Sequence, residues 1–203
     1  MYNMKVQKRN GEKEDVSFDK ILNRIKLLCL SDEFDKQLSI DPTIIAQKVC
    51  SELYDGVTTT ELDILSSEVA ISLYSGHLDY ATLASRIIIS NHHKKMFYSK
   101  FSEVIDKLYK NNIIDKYLYD LVEENKVLIN QKIEYSRDYK LDFFGFKTLE
   151  KSYLLKCDGV IVEKPQDLFM RVALCIHRDN ISNAFETYDY ISNKCFIHAT
   201  PTL

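Results

Sequence analysis

The spacing of apolar residues changes period at Phe18. Before it, Met4 and Val6, then Val16 and Phe18, alternate partly with polar residues on either side of Asn10-Gly11. That is the pattern of two short strands joined by a tight turn, and Asn-Gly readily takes the two positive φ values of a type I′ hairpin. The chain is therefore expected to open as a β-hairpin, Met4 to Arg9 and Glu12 to Phe18. Beyond it, Phe18, Ile21, Leu22, Ile25 and Leu28 recur at three and four residues, one stripe of a helix with Ser17 as N-cap. Asp41-Pro42 starts a second helix bearing Ile45, Val49 and Leu53, and Asp55-Gly56 ends it. Thr58-Thr59-Thr60-Glu61 fits a capping box ahead of Leu62, Leu65, Val69 and Leu73, a third helix closed by Gly76. A fourth, from about Asp79 to Lys94, carries Leu83, Ala84, Ile87 and Ile88. Val57 is placed to add a short third strand. A lone ribbon persists only with its apolar face laid on helices, so these elements predict one compact unit, residues 1–95, with a boundary near Lys95 to Ser99.

The remainder, residues 96–203, reads as a second helical region. Phe101, Val104, Ile105 and Leu108 form one stripe, and Leu118, Leu121, Val122 and Leu128 another. An aromatic block follows (Tyr135, Tyr139, Phe143, Phe144, Phe146), then a hairpin around Asp158-Gly159. A helix begins at Pro165 with Leu168, Phe169, Val172 and Ile176 inward, and a last one uses Ile181, Ala184, Phe185, Tyr188 and Ile191. The closing His198-Ala199-Thr200-Pro201-Thr202-Leu203 is extended and hydroxyl-rich, and reads as a lead-in to further structure.

Composition narrows the class. With 45% hydrophobic and 28% charged residues but only 5 Gly and 3 Pro in 203, the chain is globular, with long and mostly helical elements. A net charge of −3 gives no global basic field for gripping nucleic acid, so any anion site must be local. No run approaches the roughly 18 apolar residues of a membrane span, and the first residues lack a secretion-signal core, so a cytoplasmic protein without membrane contact is expected. Five cysteines (Cys29, Cys50, Cys157, Cys175, Cys195) without a close pair are expected to be reduced, mostly buried thiols.

Few residues announce chemistry by themselves. Lys8 and Arg9 are adjacent near the hairpin tip, and neighbouring strand residues face opposite ways, so one is expected to face a ligand and the other water. Lys20 lies in the first turn of the first helix, where backbone N–H groups favour anions. Thr58, Thr59, Thr60 and Asp63 open the third helix, and capping accounts for much of that composition. His92-His93 do not share a helix face, so no metal is expected. There is no Gly-rich phosphate loop, nucleophile elbow or Cys-x-x-Cys.

Read as longer words, these segments acquire a pattern. VQKRNGEKEDVSFDKI, GVTTTELD and LASRIIISNHHK, in that order, resemble the ATP-cone at the amino end of class I ribonucleotide reductase large subunits, and FFGFKTLEKSYLLK, EKPQDLFMRVALCIH and FIHATPTL resemble the helical region that leads into that family's catalytic barrel. The resemblance covers essentially the whole chain. It implies a mainly α fold with small β-hairpins: a four-helix bundle capped by a small β-sheet, then a helical region leading into an α/β barrel that these residues do not include. It places an ATP or dATP effector site on Lys8, Arg9, Glu14, Asp15, Val16, Ser17, Phe18, Asp19, Lys20, Thr59 and Asp63, with Lys94 a further candidate. Asp15 departs from relatives that carry a basic residue there, and reads as an outward strand position. Thr200 matches a position whose hydroxyl contacts the substrate diphosphate. The family's catalytic cysteines, Asn and Glu lie beyond Leu203, so no catalytic residue is expected here, and Cys195 reads as a packing residue.

The family implies an oxidoreductase that makes deoxyribonucleotides for DNA replication. It acts on ribonucleoside diphosphates through a cysteine radical, with a metal-bearing small subunit, a large-subunit homo-oligomer, and thioredoxin or glutaredoxin as reductant. The segment itself is expected to bind nucleotide without catalysis. The rival readings are a free-standing nucleotide sensor or assembly modulator and a helical interaction module that binds nothing. A transcriptional regulator is disfavoured, because the four-cysteine zinc ribbon expected before the cone is absent.

Overall fold

The computed structural model describes residues 4–30, 34, 36–96, 98 and 100–203. The chain divides into two compact units, the first ending at Asn91 and the second beginning at His92. Of the expected boundary segment, Phe97 and Ser99 lie outside the described residues.

In the first unit, β1 (Lys5–Gln7) and β2 (Lys13–Asp15) pair antiparallel with Lys5 opposite Asp15 and Val6 opposite Glu14. β3 (Val57–Thr58) joins parallel to β1, Val6 beside Val57, giving the order β2-β1-β3. Val6 and Val57 are both buried. The hairpin turn differs from the expected type I′. Lys8 N–H bonds Glu12 O at 2.8 Å, Gly11 N–H bonds Lys8 O at 2.9 Å, and only Gly11 has positive φ, +86°. The loop is thus three residues, Arg9-Asn10-Gly11, with Gly in the left-handed position of a bulged hairpin. This wider loop carries Arg9 out of strand alternation altogether.

Helix starts follow local chemistry. α1 (Phe18–Leu30) receives Lys20 N–H on Ser17 Oγ at 3.4 Å. α2 (Pro42–Ser51) has Asp41 as N-cap and Pro at its first position. α3 (Thr59–Ser72) carries the full Thr58/Glu61 capping box. Helix ends were less legible. α2 stops at Ser51, leaving Leu53 outside it, because Gly56 turns with φ +83° to bond Lys5 O. α3 ends at Ser72, and Gly76 closes a separate turn. Phe18 stands 38% exposed rather than facing the core.

α3 is also rotated from its expected stripe. Its buried face is Asp63, Ser66, Ser67, Val69 and Ala70, with Leu62 and Leu65 only half-buried. Ser66 and Ser67 are buried without penalty because their hydroxyls bond Leu62 O and Ile64 O within the same helix. α4 (Asp79–Lys95) is buried from Leu83 through His92, so it is enclosed on all sides over these turns. Its Arg86 donates to Leu28 O at 2.9 Å and Lys36 O at 2.6 Å, satisfying a carbonyl in the last turn of α1.

The second unit packs α5 (Phe101–Lys110), α6 (Lys116–Glu124), α7 (Lys126–Lys132), a 3-10 turn (Tyr135–Lys140), α8 (Phe143–Ser152), α9 (Pro165–His177) and α10 (Ile181–Ser192) around one apolar core. Ile129 rather than Leu128 enters it, Ile176 is exposed where burial was expected, and Phe144 of the aromatic block is exposed as well. β4 (Lys156–Cys157) and β5 (Val160–Ile161) form a hairpin whose two loop residues, Asp158 and Gly159, have φ +51° and +79°. The type I′ turn expected at the first hairpin is found here. Cys29 and Cys157 are buried, but Cys175 and Cys195 are exposed, against the expectation of mostly buried thiols and of a packing role for Cys195. Burial pushes the Cys29 thiol up to about 11, which leaves it protonated and unreactive. No helix among the described residues is long and apolar enough to cross a membrane.

Candidate functional site

Two ionic clusters gather six of the expected site residues, Lys8, Arg9, Glu14, Lys20, Thr59 and Asp63, in the first unit. The first is centred on Glu14. Its carboxylate meets Lys8 Nζ at 2.9 Å and Lys20 Nζ at 2.9 Å, and Lys8 lies 3.7 Å from Glu12. Lys8 reaches Glu14 because residues two apart on β1 share a face with their partners on β2, while Lys20 descends from the first turn of α1. The hydrogen bond from Lys8, then that from Lys20, holds the Glu14 carboxyl below the usual carboxylate range, and Glu14 in turn raises the Lys8 ammonium. Against Lys8 and Lys20 stand Glu14 and, farther off, Glu12, so the cluster is close to neutral and offers two ammonium groups that an incoming anion can take over by displacing a carboxylate.

The second cluster is centred on Asp63. Thr59 and Asp63 stand four apart on α3 and so share a face. The hairpin loop brings Arg9 over them: Nη2 donates to Asp63 Oδ2 at 3.1 Å and to Asn91 Oδ1 at 2.6 Å, and Nη1 reaches Thr59 Oγ1 at 3.5 Å. Arg24, one turn after Lys20 on α1, donates Nε to Asp63 Oδ1 at 3.3 Å and Nη2 to Ser90 Oγ at 2.8 Å. Lys8 and Arg9 therefore enter different clusters, and both clusters hang from one hairpin tip.

Other expected positions fall elsewhere. Asp15 is exposed and paired with Lys5 at 2.7 Å, on the face of the ribbon opposite Glu14. Val16 continues the ribbon through its N–H to Met4 O, and Asp19 is an exposed acidic residue in the first turn of α1. Lys94 is exposed in the last turn of α4 and belongs to the second unit. Thr200, also in the second unit, is exposed with Oγ1 2.8 Å from the Tyr153 hydroxyl. Sequence reasoning missed Arg24, Ser90 and Asn91. The signal available for Arg24 was its spacing of four from Lys20 beside the buried stripe of α1; Ser90 and Asn91 had only their place within SNHHK.

A third polar group, equally missed, lies at the start of α9. Glu163, fully buried, accepts from Arg171 Nε at 2.6 Å and from Leu155 N at 2.8 Å, while its carbonyl meets His92 Nε2 at 3.0 Å. His93 Nε2 lies 2.6 Å from buried Asp138, which also accepts from Gln166 N. Burial lowers the His92 imidazole, so at neutral pH it donates to the Glu163 carbonyl as the uncharged ring. The adjacent histidines thus serve two separate structural contacts, and among the described residues no three His, Cys, Asp or Glu side chains converge as metal ligands.

Comparison with known proteins gives this arrangement a context. The ATP cone domain family matches residues 4–95, and the all-alpha domain of ribonucleotide reductase matches residues 139–203. Over 209 residues, 98% of the chain, it is 49% identical to the ribonucleoside-diphosphate reductase large subunit of Monkeypox virus. The chain belongs to the ribonucleotide reductase large-subunit family. Large subunits of Danio rerio and Arabidopsis thaliana are 47% and 44% identical to it, again over 98% of the chain. It spans about a quarter of the length of these relatives: 27%, 26% and 25% of the three respectively. Within this family, the Glu14 and Asp63 clusters both fall inside the segment matched as ATP cone, and Thr200 falls inside the all-alpha segment.

Proposed function

We propose that the first unit is an allosteric nucleotide sensor that takes ATP or dATP at the hairpin tip, and that the chain is the amino-terminal part of an enzyme reducing ribonucleoside diphosphates. The cone corresponds to residues 1–95 and the helical region to residues 96–203. The observation that carries the reading is the convergence of Lys8 and Lys20 on one face beside the α1 N-terminus, with Arg9, Thr59 and Asp63 grouped by the same loop. A nucleoside triphosphate brings about four negative charges, for which lysine ammonium groups and helix N–H donors are the matching partners. In the absence of such a ligand, Glu14 bridges both lysines, so phosphate binding exchanges a carboxylate for a more highly charged anion. Thr59 and Asp63 offer a hydroxyl and a carboxylate to sugar or base. Two effectors that differ by one ribose hydroxyl can then favour different states of the assembled enzyme. Radical chemistry in this reading belongs to the barrel and the metal-bearing small subunit, with thioredoxin or glutaredoxin as reductant, and the Thr200 hydroxyl is the group that contacts the substrate diphosphate.

Titration calorimetry of the full 203-residue chain tests this directly. ATP and dATP should both bind, Lys8→Ala should weaken ATP by about tenfold to a hundredfold, and Asp63→Asn should alter the preference between the two. No heat and no thermal shift with either nucleotide would remove the regulatory reading.

A further inference from the structure

The Asp63 cluster contains three residues, Arg24, Ser90 and Asn91, to which no role attaches so far. Asp63 is 6% exposed, and both of its carboxylate oxygens are committed, one to Arg9 and one to Arg24. Each guanidinium then spans to α4: Arg9 to Asn91 and Arg24 to Ser90. Four segments, the hairpin loop, α1, α3 and α4, therefore meet in one ionic knot. A ligand that draws Arg9 Nη2 away from Asp63 also loosens its bond to Asn91 on α4. A second observation comes from Asn91. It is fully buried, and while its Oδ1 accepts from Arg9, its Nδ2 has no hydrogen-bond partner among the described residues. An unsatisfied buried donor is costly, so this amide has room for one further acceptor when the knot rearranges.

We infer that Arg24 is a positioning residue that sets effector discrimination, by holding Asp63 and coupling it through Ser90 and Asn91 to α4. The inference rests on the nucleotide-sensor reading above. With Arg24 in place, Asp63 is fixed in orientation and shares its charge between two cations. An effector oxygen that draws Arg9 away leaves Arg24 as the sole counter-ion, and the Asn91 amide becomes free to turn toward the newcomer. An effector lacking that oxygen leaves the knot closed. Arginine is required for this task because its planar fork reaches the carboxylate and the Ser90 hydroxyl at once, which a lysine point charge does not.

The test uses the full chain and four proteins: the native sequence, Arg24→Met, Arg24→Lys and Ser90→Ala. Calorimetry gives Kd for ATP and for dATP, and amide hydrogen exchange follows α4 around residues 86–91 with and without each nucleotide. The expected result is that Arg24→Met still binds nucleotide but its ATP-to-dATP Kd ratio moves by about fivefold or more, that Arg24→Lys fails to restore the native ratio, and that the nucleotide-dependent change in α4 exchange is lost in both. A purely supporting role would lower stability and leave the ratio alone. Should Arg24→Met not fold, Ser90→Ala removes only the hydroxyl and must still shift the ratio and blunt the exchange response. Native protein that binds neither nucleotide overturns the sensor reading. Native protein that binds both, with ratios and exchange responses unchanged in the folded variants, leaves the sensor standing and overturns the role given to Arg24.

Discussion

Replacing Arg171 by Met isolates a buried carboxylate in the second unit. Glu163 is fully buried and accepts from Arg171 Nε at 2.6 Å, Arg171 Nη2 at 3.2 Å and Leu155 N at 2.8 Å. Methionine keeps much of the aliphatic stem and removes both guanidinium donors, which leaves a negative charge facing one backbone N–H. Breaking a buried pair on one side costs about 3–5 kcal/mol. Only 12% of the Arg171 side chain is exposed, so water cannot readily take over its role, and the full range applies. In urea at pH 7, with a slope of about 2 kcal/mol per molar, the midpoint of the second unit should fall by roughly 1.5–2.5 M without a change in slope. The double variant Arg171→Met/Glu163→Gln removes both charges and should recover at least half of that loss, since the penalty is that of an unpaired ion. A single variant with an unshifted midpoint, or a double variant no better than the single, would refute the assignment of Glu163 as a charge dependent on Arg171.

Asp167 should give the second unit a distinct pH profile. Complete burial, only partly offset by hydrogen bonds from Lys164 N and the Tyr135 hydroxyl, pushes its carboxyl up to about 7. Between about pH 4 and 7 the folded state holds a proton that the unfolded chain has released, so this group's contribution favours folding less as pH rises through that window and is recovered as pH falls. Asp167→Asn should flatten that part of the stability profile measured by denaturant titration across pH; an unaltered slope would contradict the burial argument. Gly159→Ala should cost about 1–2 kcal/mol, because φ is +79° and a Cβ there meets nothing within 4 Å, so backbone strain alone acts. Thermal melts that show no loss would argue against the left-handed turn.

Element starts were legible in the sequence because their causes are local. Asp41-Pro42 and Thr58 with Glu61 cap helices where expected, and Pro165 opens α9 at its first position, since a helix start needs only side chains within the first turn. The helical stripes of the second unit were also readable, as Phe101, Val104, Ile105 and Leu108 are all buried. Turns were legible only where nothing distant intervened. Asp158-Gly159 takes the two-residue form, whereas Asn10-Gly11 sits in a three-residue loop that delivers Arg9 to Asp63, more than fifty residues away. The candidate site was legible as a set of residues through the family likeness, but not as two separate clusters.

The sequence by itself determined most of the helical segments, the starts of several, and the family likeness, because periodicity, capping and long shared words are properties of neighbouring residues, whereas the aromatic block that folds into the 3-10 turn and α8 was not legible as helix. Tertiary structure decided which charged groups could be buried. Asp63, Arg86, Asp138, Glu163 and Asp167 would each read as surface residues by type, yet all are buried. Each is tolerated inside because folding brings it a hydrogen-bonding partner, and for Asp63 and Arg86 those partners come from other segments, far along the chain. Burying an ion is favourable only once that partner has arrived, and no local pattern records its arrival.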